Sequence, residues 1–304
     1  MTLRIGIDLG GTKTEAILMA ADSRIVATER LPTPFADYQQ QVATIAELVR
    51  RMESRAGEPG LPVGIAHPGA MVPMTGLIKN ANSTCLNGRP LKHDLEQALG
   101  RTVRMANDAD CLAVSESADG AAAGATSVFA AILGTGVGGG IAIEGRLLRG
   151  PNAIAGEWGH NALPWPRADW DEVPGPLHWD GQHGVIESYL SGPGLAADHL
   201  RSFGIALKGE LIVAAASEGE PAALATLARY EHRLARALAS VINLLDPEVI
   251  VLGGGLSRVA RLYAEVPKLW GQWVFSDSVQ TRLVAAAHGD SSGVRGAAWL
   301  WPVA

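Results

Sequence analysis

Cysteine is nearly missing from this chain: Cys85 and Cys111 are the only two in 304 residues. Their spacing fits no metal or redox motif, which excludes a disulfide-stapled scaffold and a thiolate cluster; both are expected as reduced, buried thiols. Charge is modest, with 25 Lys and Arg against 31 Asp and Glu and a net charge of -6. No dense basic stripe stands out, so neither nucleic acid nor an anionic membrane is expected as a partner. Long apolar runs are lacking too, and none approaches the roughly 20 residues of a membrane span. The opening Met1-Thr2-Leu3-Arg4 has no signal-peptide character, so the expected compartment is the cytoplasm. What the chain does have is 47% apolar residues, 36 glycines and length enough for two domains, each with its own core.

Leu3, Ile5, Ile7 and Leu9 alternate with period two and predict a first strand. The turn Gly10-Gly11-Thr12-Lys13-Thr14 follows, then strands at 16–19 and 25–27. A helix is expected over 37–55, where Val42, Ile45, Leu48, Val49 and Met52 share a face. Strands at 62–66 and 102–106 and a helix at 109–118 come next. The pattern then repeats, with a strand at 127–133, a glycine turn at 134–140 and a strand at 141–143. This weak duplication predicts two similar α/β lobes rather than one large sheet. A third glycine turn, Gly253-Gly254-Gly255, follows a strand at 249–252, and a helix is expected from about Ser257. Residues 221–245 read as a long helix stopped by Asp246-Pro247. The Pro- and Trp-rich stretch 164–179 reads as a loop or lid.

Two glycine motifs nearly match familiar nucleotide fingerprints and fail on context. Gly6 to Gly11 has P-loop glycine spacing, but Thr12 stands where lysine is required and a strand follows. Gly134-x-Gly136-x-x-Gly139 also runs into a strand, so no helix N-terminus awaits a pyrophosphate. What remains is a pair of strand–turn–strand units whose backbone N–H groups suit phosphates, because glycine allows close approach. One such turn alone is ordinarily structural; two, with Gly253–Gly255, point to a nucleotide. Asp8, ending the first strand, is placed to hold Mg²⁺ near phosphates that Thr12 and Lys13 contact.

Asn107-Asp108 falls where a strand ends and a helix begins, a position that favours N-caps. Asp108 also suits a general base for a hydroxyl attacking a γ-phosphoryl group, and one residue can do both. Glu157 and His160, three apart in Gly156-Glu157-Trp158-Gly159-His160, suit vicinal sugar hydroxyls, although such a pair is also a common helix contact. Glu187 by itself reads as a solvated helix start.

These segments together resemble the ROK family of sugar kinases and repressors, within the actin/Hsp70/hexokinase superfamily. The likeness rests on Ile5-Gly6-Ile7-Asp8-Leu9-Gly10-Gly11-Thr12-Lys13-Thr14, Lys79-Asn80-Ala81-Asn82-Ser83-Thr84, Ala106-Asn107-Asp108-Ala109, Ala155-Gly156-Glu157-Trp158-Gly159-His160-Asn161 and His288-Gly289-Asp290-Ser291-Ser292-Gly293-Val294-Arg295-Gly296. It covers the whole chain and is nearest the bacterial fructokinase branch. It implies a two-lobed, ribonuclease H-like α/β fold with a cleft between lobes, 1–116 plus 290–304 forming one and 117–289 the other. It implies ATP and Mg²⁺ as partners of the reaction, a hexose substrate, and a homodimer. By resemblance Asp108 is the catalytic base. Gly69, Asn82, Asn107, Asp108, Glu157, His160 and Glu187 bind sugar, and Asp8, Gly10, Gly11, Thr12, Lys13, Thr135, Gly136 and Gly254 surround ATP and Mg²⁺. Fructose, or mannose, phosphorylated at the 6-hydroxyl is the expected reaction. Glucose and N-acetylhexosamines are the alternatives within the family, and a non-catalytic sugar sensor is the alternative outside catalysis.

Two departures stand out. Family members usually bind a structural zinc with the histidine of the Glu-x-x-His motif and three cysteines of a Cys-x-Cys-Gly-x-x-Gly-Cys segment. Here that stretch is His178-Trp179-Asp180-Gly181-Gln182-His183-Gly184-Val185, with every thiolate gone. No zinc is therefore expected, although His160, His178, Asp180 and His183 offer nitrogen and oxygen donors, and the loop is expected to depend on Trp165, Trp170 and Trp179. The second departure is His67 before Pro68-Gly69, where an aliphatic residue is usual; it reads as a partly buried histidine near the sugar.

Overall fold

A computed structural model describes residues 2–301. In chain order the elements are β1 (Leu3–Leu9), β2 (Lys13–Ala20), β3 (Ile25–Pro32), α1 (Tyr38–Ala56), β4 (Val63–His67), β5 (Ala70–Met71), β6 (Ile78–Lys79), α2 (Leu91–Leu99), β7 (Arg104–Asn107) and α3 (Asp108–Ala118). Then come β8 (Ser127–Leu133), β9 (Val137–Ile143), β10 (Arg146–Leu147), α4 (Glu187–Leu190), α5 (Gly192–Phe203), α6 (Gly209–Ser217), α7 (Pro221–Leu245), β11 (Val249–Gly253), α8 (Arg261–Trp270), β12 (Arg282–Ala285) and α9 (Ser292–Trp299). One sheet has the order β3-β2-β1-β4-β7 and the other β10-β9-β8-β11-β12. The duplication seen in the sequence is thus two five-stranded sheets, each with the later strands of its half beside the first. No single helix among the described residues is long and apolar enough to cross a membrane.

The chain forms two compact units. The first runs to Gly124 and includes Gly140–Ala155 and the chain from Ala287 onward; the second holds Ala125–Gly139 and Gly156–Ala286. The boundaries differ from the expected 116/117 and 289/290, and the excursion 140–155 was not anticipated, because nothing local marks it.

In the first unit β1 pairs antiparallel with β2 and parallel with β4, which pairs parallel with β7. One face of this sheet buries Ile5, Ile7, Ile65 and Met105 under α1 and α2. The other face meets α9 through Ile17, Met19, Ala66 and Ala106. Strand β2 is covered on both sides and is buried almost throughout, whereas the edge strand β3 alternates. The α9 contact requires glycine: a Cβ on Gly6 would lie 2.2 Å from the Val294 carbonyl oxygen, and one on Gly296 1.8 Å from that of Cys111. Helix α1 begins with Asp37 accepting from the Gln40 N–H at 3.0 Å and ends at Gly57, with φ +68°. Cys111 is buried as expected, but Cys85 is only partly so and its thiol donates to the Phe35 carbonyl at 3.1 Å.

In the second unit β8, β11 and β12 are parallel neighbours, and α7 lies among the buried core with Leu227, Leu234 and Leu238. A 3-10 turn at Gly255–Arg258 follows the third glycine turn, and the helix expected from Ser257 starts later, at Arg261. The stretch 164–179 is not held mainly by its tryptophans: Trp165 and Trp179 are 45% and 67% exposed. Its anchor is Glu172, whose buried carboxylate accepts from Arg233 at 2.7 Å and Arg236 at 2.8 Å, both on α7. Trp170 packs between Arg167 and His232.

Candidate active site

The first unit gathers its candidates at the carboxyl ends of parallel strands, where open α/β sheets place ligands. Asp8 is level with Ala66, and His67 is level with Asn107. The turn after β1 is closed by the Gly10 N–H donating to Lys13 O at 3.1 Å, and Thr33 braces it by donating to Gly10 O at 2.8 Å. A Cβ on Gly10 would stand 2.8 Å from that same Lys13 oxygen, so glycine is required. Gly11 and Thr12 are exposed at the tip. Lys13 reaches Glu15 at 3.9 Å and is half exposed. Burial, then the charges of Asp108 and Glu15, push the Asp8 pKa up to about 7. A pocket rich in carboxylate charge favours a cation, so Asp8 fits Mg²⁺.

Asn107 caps α3, its Oδ1 accepting from the Asp110 N–H at 2.6 Å. Asp108 opens the helix, and one of its carboxylate oxygens accepts from the Ala109 N–H at 2.9 Å, leaving the rest of the group toward solvent. Although accessible, Asp108 is closely surrounded by protein, and the lost hydration raises its pKa. Gly69 has φ +74°, and a Cβ there would lie 2.4 Å from Lys79 O. Asn82 is exposed on the loop that Gly69 packs against. That loop is held by Asn87, which accepts from the Ala81 N–H at 2.8 Å and donates to Ala81 O at 3.1 Å. Sequence reasoning missed Asn87; a side-chain amide bridging its own neighbourhood leaves no periodic signal. His67 is fully buried, not partly. Burial drives its pKa down to about 4, so it is neutral, with Nδ1 3.1 Å from Pro68 O.

In the second unit the turn Trp158–His160 carries Glu157 and His160. Trp158 is buried and donates from Nε1 to Gly138 O at 2.9 Å, and a Cβ on Gly159 would lie 2.2 Å from Val137 O. The turn is thereby pinned to the start of β9. Glu187 is not a solvated helix start. It accepts from the Val137 N–H at 2.7 Å, from His178 Nε2 at 2.9 Å and from Trp179 Nε1 at 3.2 Å. Burial raises its pKa, but these donors outweigh it and lower the net value. Gly136 is required beside it, since a Cβ there would come within 2.8 Å of Glu187 Oε2. Thr135 lines an open cleft of about 680 Å³ with Pro193, Lys208, Val213, Leu256 and Arg258. A cleft of this size suits a nucleoside. Lys208 and Arg258 are cations that the motifs did not reveal. Gly254, with φ +80°, turns so tightly that a Cβ would meet Leu133 O at 2.6 Å.

The zinc implied by resemblance has a testable fit. One donor atom each from His160, His178 and Asp180 lies within 4.8 Å of the others. His183 is turned away, its Nδ1 2.9 Å from Gly175 O, and Val185 is fully buried. His178 Nδ1 lies 2.8 Å from Asp180 Oδ1 and Nε2 2.9 Å from Glu187 Oε1; burial lowers the His178 pKa, but these two carboxylates outweigh it and raise the net value. Two imidazoles and a carboxylate are an acceptable zinc set, so losing the thiolates does not by itself empty the site of donors.

A family model described as the ROK family matches residues 4–304. The chain is similar to an N-acetyl-D-glucosamine kinase of Vibrio cholerae, 40% identical over 298 residues, covering 97% of this chain and 98% of the relative. One from Photobacterium profundum is also 40% identical, with the same coverage. Among solved structures, a ROK hexokinase from Thermus thermophilus has a TM-score of 0.86 at 30% identity, covering 98% of this chain and 97% of that one. A ROK glucokinase from Streptomyces griseus in complex with glucose and AMPPNP has a TM-score of 0.77 at 29% identity, with 98% of each chain covered. The hexokinase-like fold expected from the motifs is confirmed, whereas the fructokinase branch gains no support from these relatives.

Proposed function

The chain belongs to the ROK family and is a sugar kinase, and from that premise we propose that it transfers the γ-phosphoryl group of ATP to the 6-hydroxyl of N-acetyl-D-glucosamine. The observation that carries this choice of sugar is the 40% identity, along 97% of the chain, to relatives named as kinases of that sugar. Asp108 takes the proton as the hydroxyl oxygen attacks the γ-phosphorus and ADP leaves. Its raised pKa brings the base nearer the working pH, where proton transfer is most effective. Asn107, Gly69 and Asn82 bind the sugar, and Asn87 keeps Asn82 in place. Glu187, with three protein donors already on its oxygens, has about one acceptor position left for a sugar hydroxyl. Glu157 and His160 take further hydroxyls. The glycine turns supply the backbone N–H groups of Gly11, Thr135 and Gly136 to phosphate, while the Gly10 N–H closes its own turn on Lys13 O, and Asp8 would hold Mg²⁺, which neutralises phosphate charge when bound.

The test is ADP release with Mg-ATP against N-acetylglucosamine, N-acetylmannosamine, glucose, fructose and mannose. N-acetylglucosamine is expected to lead in kcat/KM by at least about tenfold, the scale that one well-read substituent supplies. Fructose or mannose in the lead would replace this sugar with those the motifs suggested, and folded protein with no turnover would favour a sensor.

A further inference from the structure

On the reading that N-acetyl-D-glucosamine is the substrate, we infer that a small cavity beside Asn107 in the first unit receives the acetyl arm of its 2-acetamido group, with His67 accepting the amide N–H. The cavity has a volume of about 40 Å³. One water needs about 10–15 Å³ of such space, so there is room for about three heavy atoms and none for a sugar ring. An acetyl group brings a carbonyl carbon, an oxygen and a methyl. The place also suits a substituent better than a separate ligand. His67 and Ala70, on either side of Pro68-Gly69, line the cavity together with Asn107. It therefore adjoins two positions, Gly69 and Asn107, that bind the sugar in the proposed reaction.

His67 is level with Asn107 across β4 and β7, and it is only 3% exposed. Its Nδ1 lies 3.1 Å from Pro68 O, an oxygen that only accepts, so Nδ1 carries the proton. Nε2 is then a lone pair, and among the described residues no donor meets it. Burial, and to a lesser degree the Arg149 charge, outweigh the Pro68 hydrogen bond and lower the pKa to about 4, so the ring stays neutral. A neutral imidazole acceptor matches an amide N–H. A sugar hydroxyl could donate to the same nitrogen, but it would leave the rest of the cavity unfilled, and the walls there are Ala70, Met71 and Leu148, which suit a methyl. Arg149, at the rim, donates one N–H to the Met105 carbonyl and has others for the acetyl oxygen. An aliphatic residue is usual in the family where His67 stands, so this contact belongs to this chain and not to the family at large.

The test is kcat/KM with Mg-ATP for N-acetylglucosamine, glucose and N-butanoylglucosamine, whose acyl group is longer. In the parent protein the N-acetyl sugar should lead glucose by at least about tenfold, and the butanoyl sugar, too long for the cavity, should trail it by a similar factor. His67→Ile removes the acceptor and should lower the ratio of N-acetylglucosamine to glucose by about tenfold. Met71→Ala enlarges the cavity and should improve use of the butanoyl sugar by about tenfold. A general fault in packing lowers all sugars together and leaves these ratios alone, so the ratios report contact with the acyl group. Circular dichroism establishes folding, and Met71→Ala serves where His67→Ile does not fold. A parent protein with no preference for N-acetylglucosamine over glucose overturns the choice of sugar and the role of the cavity together. A parent protein that has the preference, with an unchanged ratio in folded His67→Ile or no gain with the butanoyl sugar in folded Met71→Ala, overturns the role of the cavity alone.

Discussion

Gly64 of β4 and Ala297 of α9 meet backbone to backbone, so that a Cβ built on the glycine would stand 1.7 Å from the Ala297 carbonyl oxygen. The obstruction is main chain, which cannot rotate aside as a side-chain tip can. Gly64→Ala must push α9 off the sheet, and overpacking of this kind costs about 1–3 kcal/mol or more. The urea midpoint should fall with an unchanged m-value. A change within about 0.5 kcal/mol would mean that α9 yields freely.

Reading the sequence reaches as far as local signals go. The units around Gly10 and Gly136 are legible because period-two apolar runs flank glycine within a few residues, and Asn107 is legible because a cap lies beside what it caps. The helix at α1 is legible from its apolar face. Other features depend on partners far along the chain. Glu187 looks solvated in sequence, yet the N–H that it binds is 50 residues away at Val137. Glu172 sits in a stretch that reads as loop, and its arginines lie 61 and 64 residues further on. His67 is buried by segments that only the sheet brings together, and Lys208 reaches the second unit's cleft from a loop with no motif of its own, whereas Arg258 lies on the 3-10 turn just after the third glycine turn.

Asp108→Ala should lower kcat by about 10²–10⁴, the usual contribution of a positioned base. ATP affinity, measured by calorimetry, should change little, because the proposed role of Asp108 is toward the sugar hydroxyl. The cap of α3 is Asn107, so the helix should survive the change. Turnover close to that of the parent protein would remove the base assignment.

The rate should fall with acidity earlier than ordinary carboxylates predict. As the proposed base, Asp108 would act only when ionised, and its pKa is raised; that of Asp8 is raised to about 7. A raised carboxyl pKa keeps the proton on to higher pH, so activity is gained as pH rises through it and lost below. The acid limb of kcat/KM should therefore lie toward neutrality, and excess Mg²⁺ should move it to lower pH by favouring ionised Asp8. A limb near pH 4 that ignores Mg²⁺ would contradict this.

His67 makes stability depend on pH in the opposite chemical sense. Burial, with a smaller contribution from Arg149, lowers its folded pKa to about 4, while the unfolded chain titrates near 6.5. Between these values the unfolded state binds a proton that the folded state refuses, so stability falls as pH falls from 6.5 toward 4. The loss from this residue is at most about 3 kcal/mol. His67→Gln, which does not titrate, should flatten that part of the stability profile relative to the parent protein. Parallel profiles would show that His67 titrates normally when folded.

Glu172 supports the most demanding change. Its carboxylate is fully buried, as are the guanidinium groups of Arg233 and Arg236 that surround it. Arg233 has a second carboxylate partner in Asp198, at 2.8 Å, whereas the acid that Arg236 pairs with is Glu172. Glu172→Gln keeps the shape and removes the charge, so Arg236 keeps the Pro164 and Trp165 carbonyls as acceptors but is left as a buried cation that has lost its counter-charge. Breaking one side of a buried pair costs about 3–5 kcal/mol. Replacing Glu172 and Arg236 together by apolar residues of similar size removes both charges and should recover most of that loss. Thermal unfolding of the single and double variants decides it: if both are equally destabilised, the loop is held by its shape and not by this charge pair.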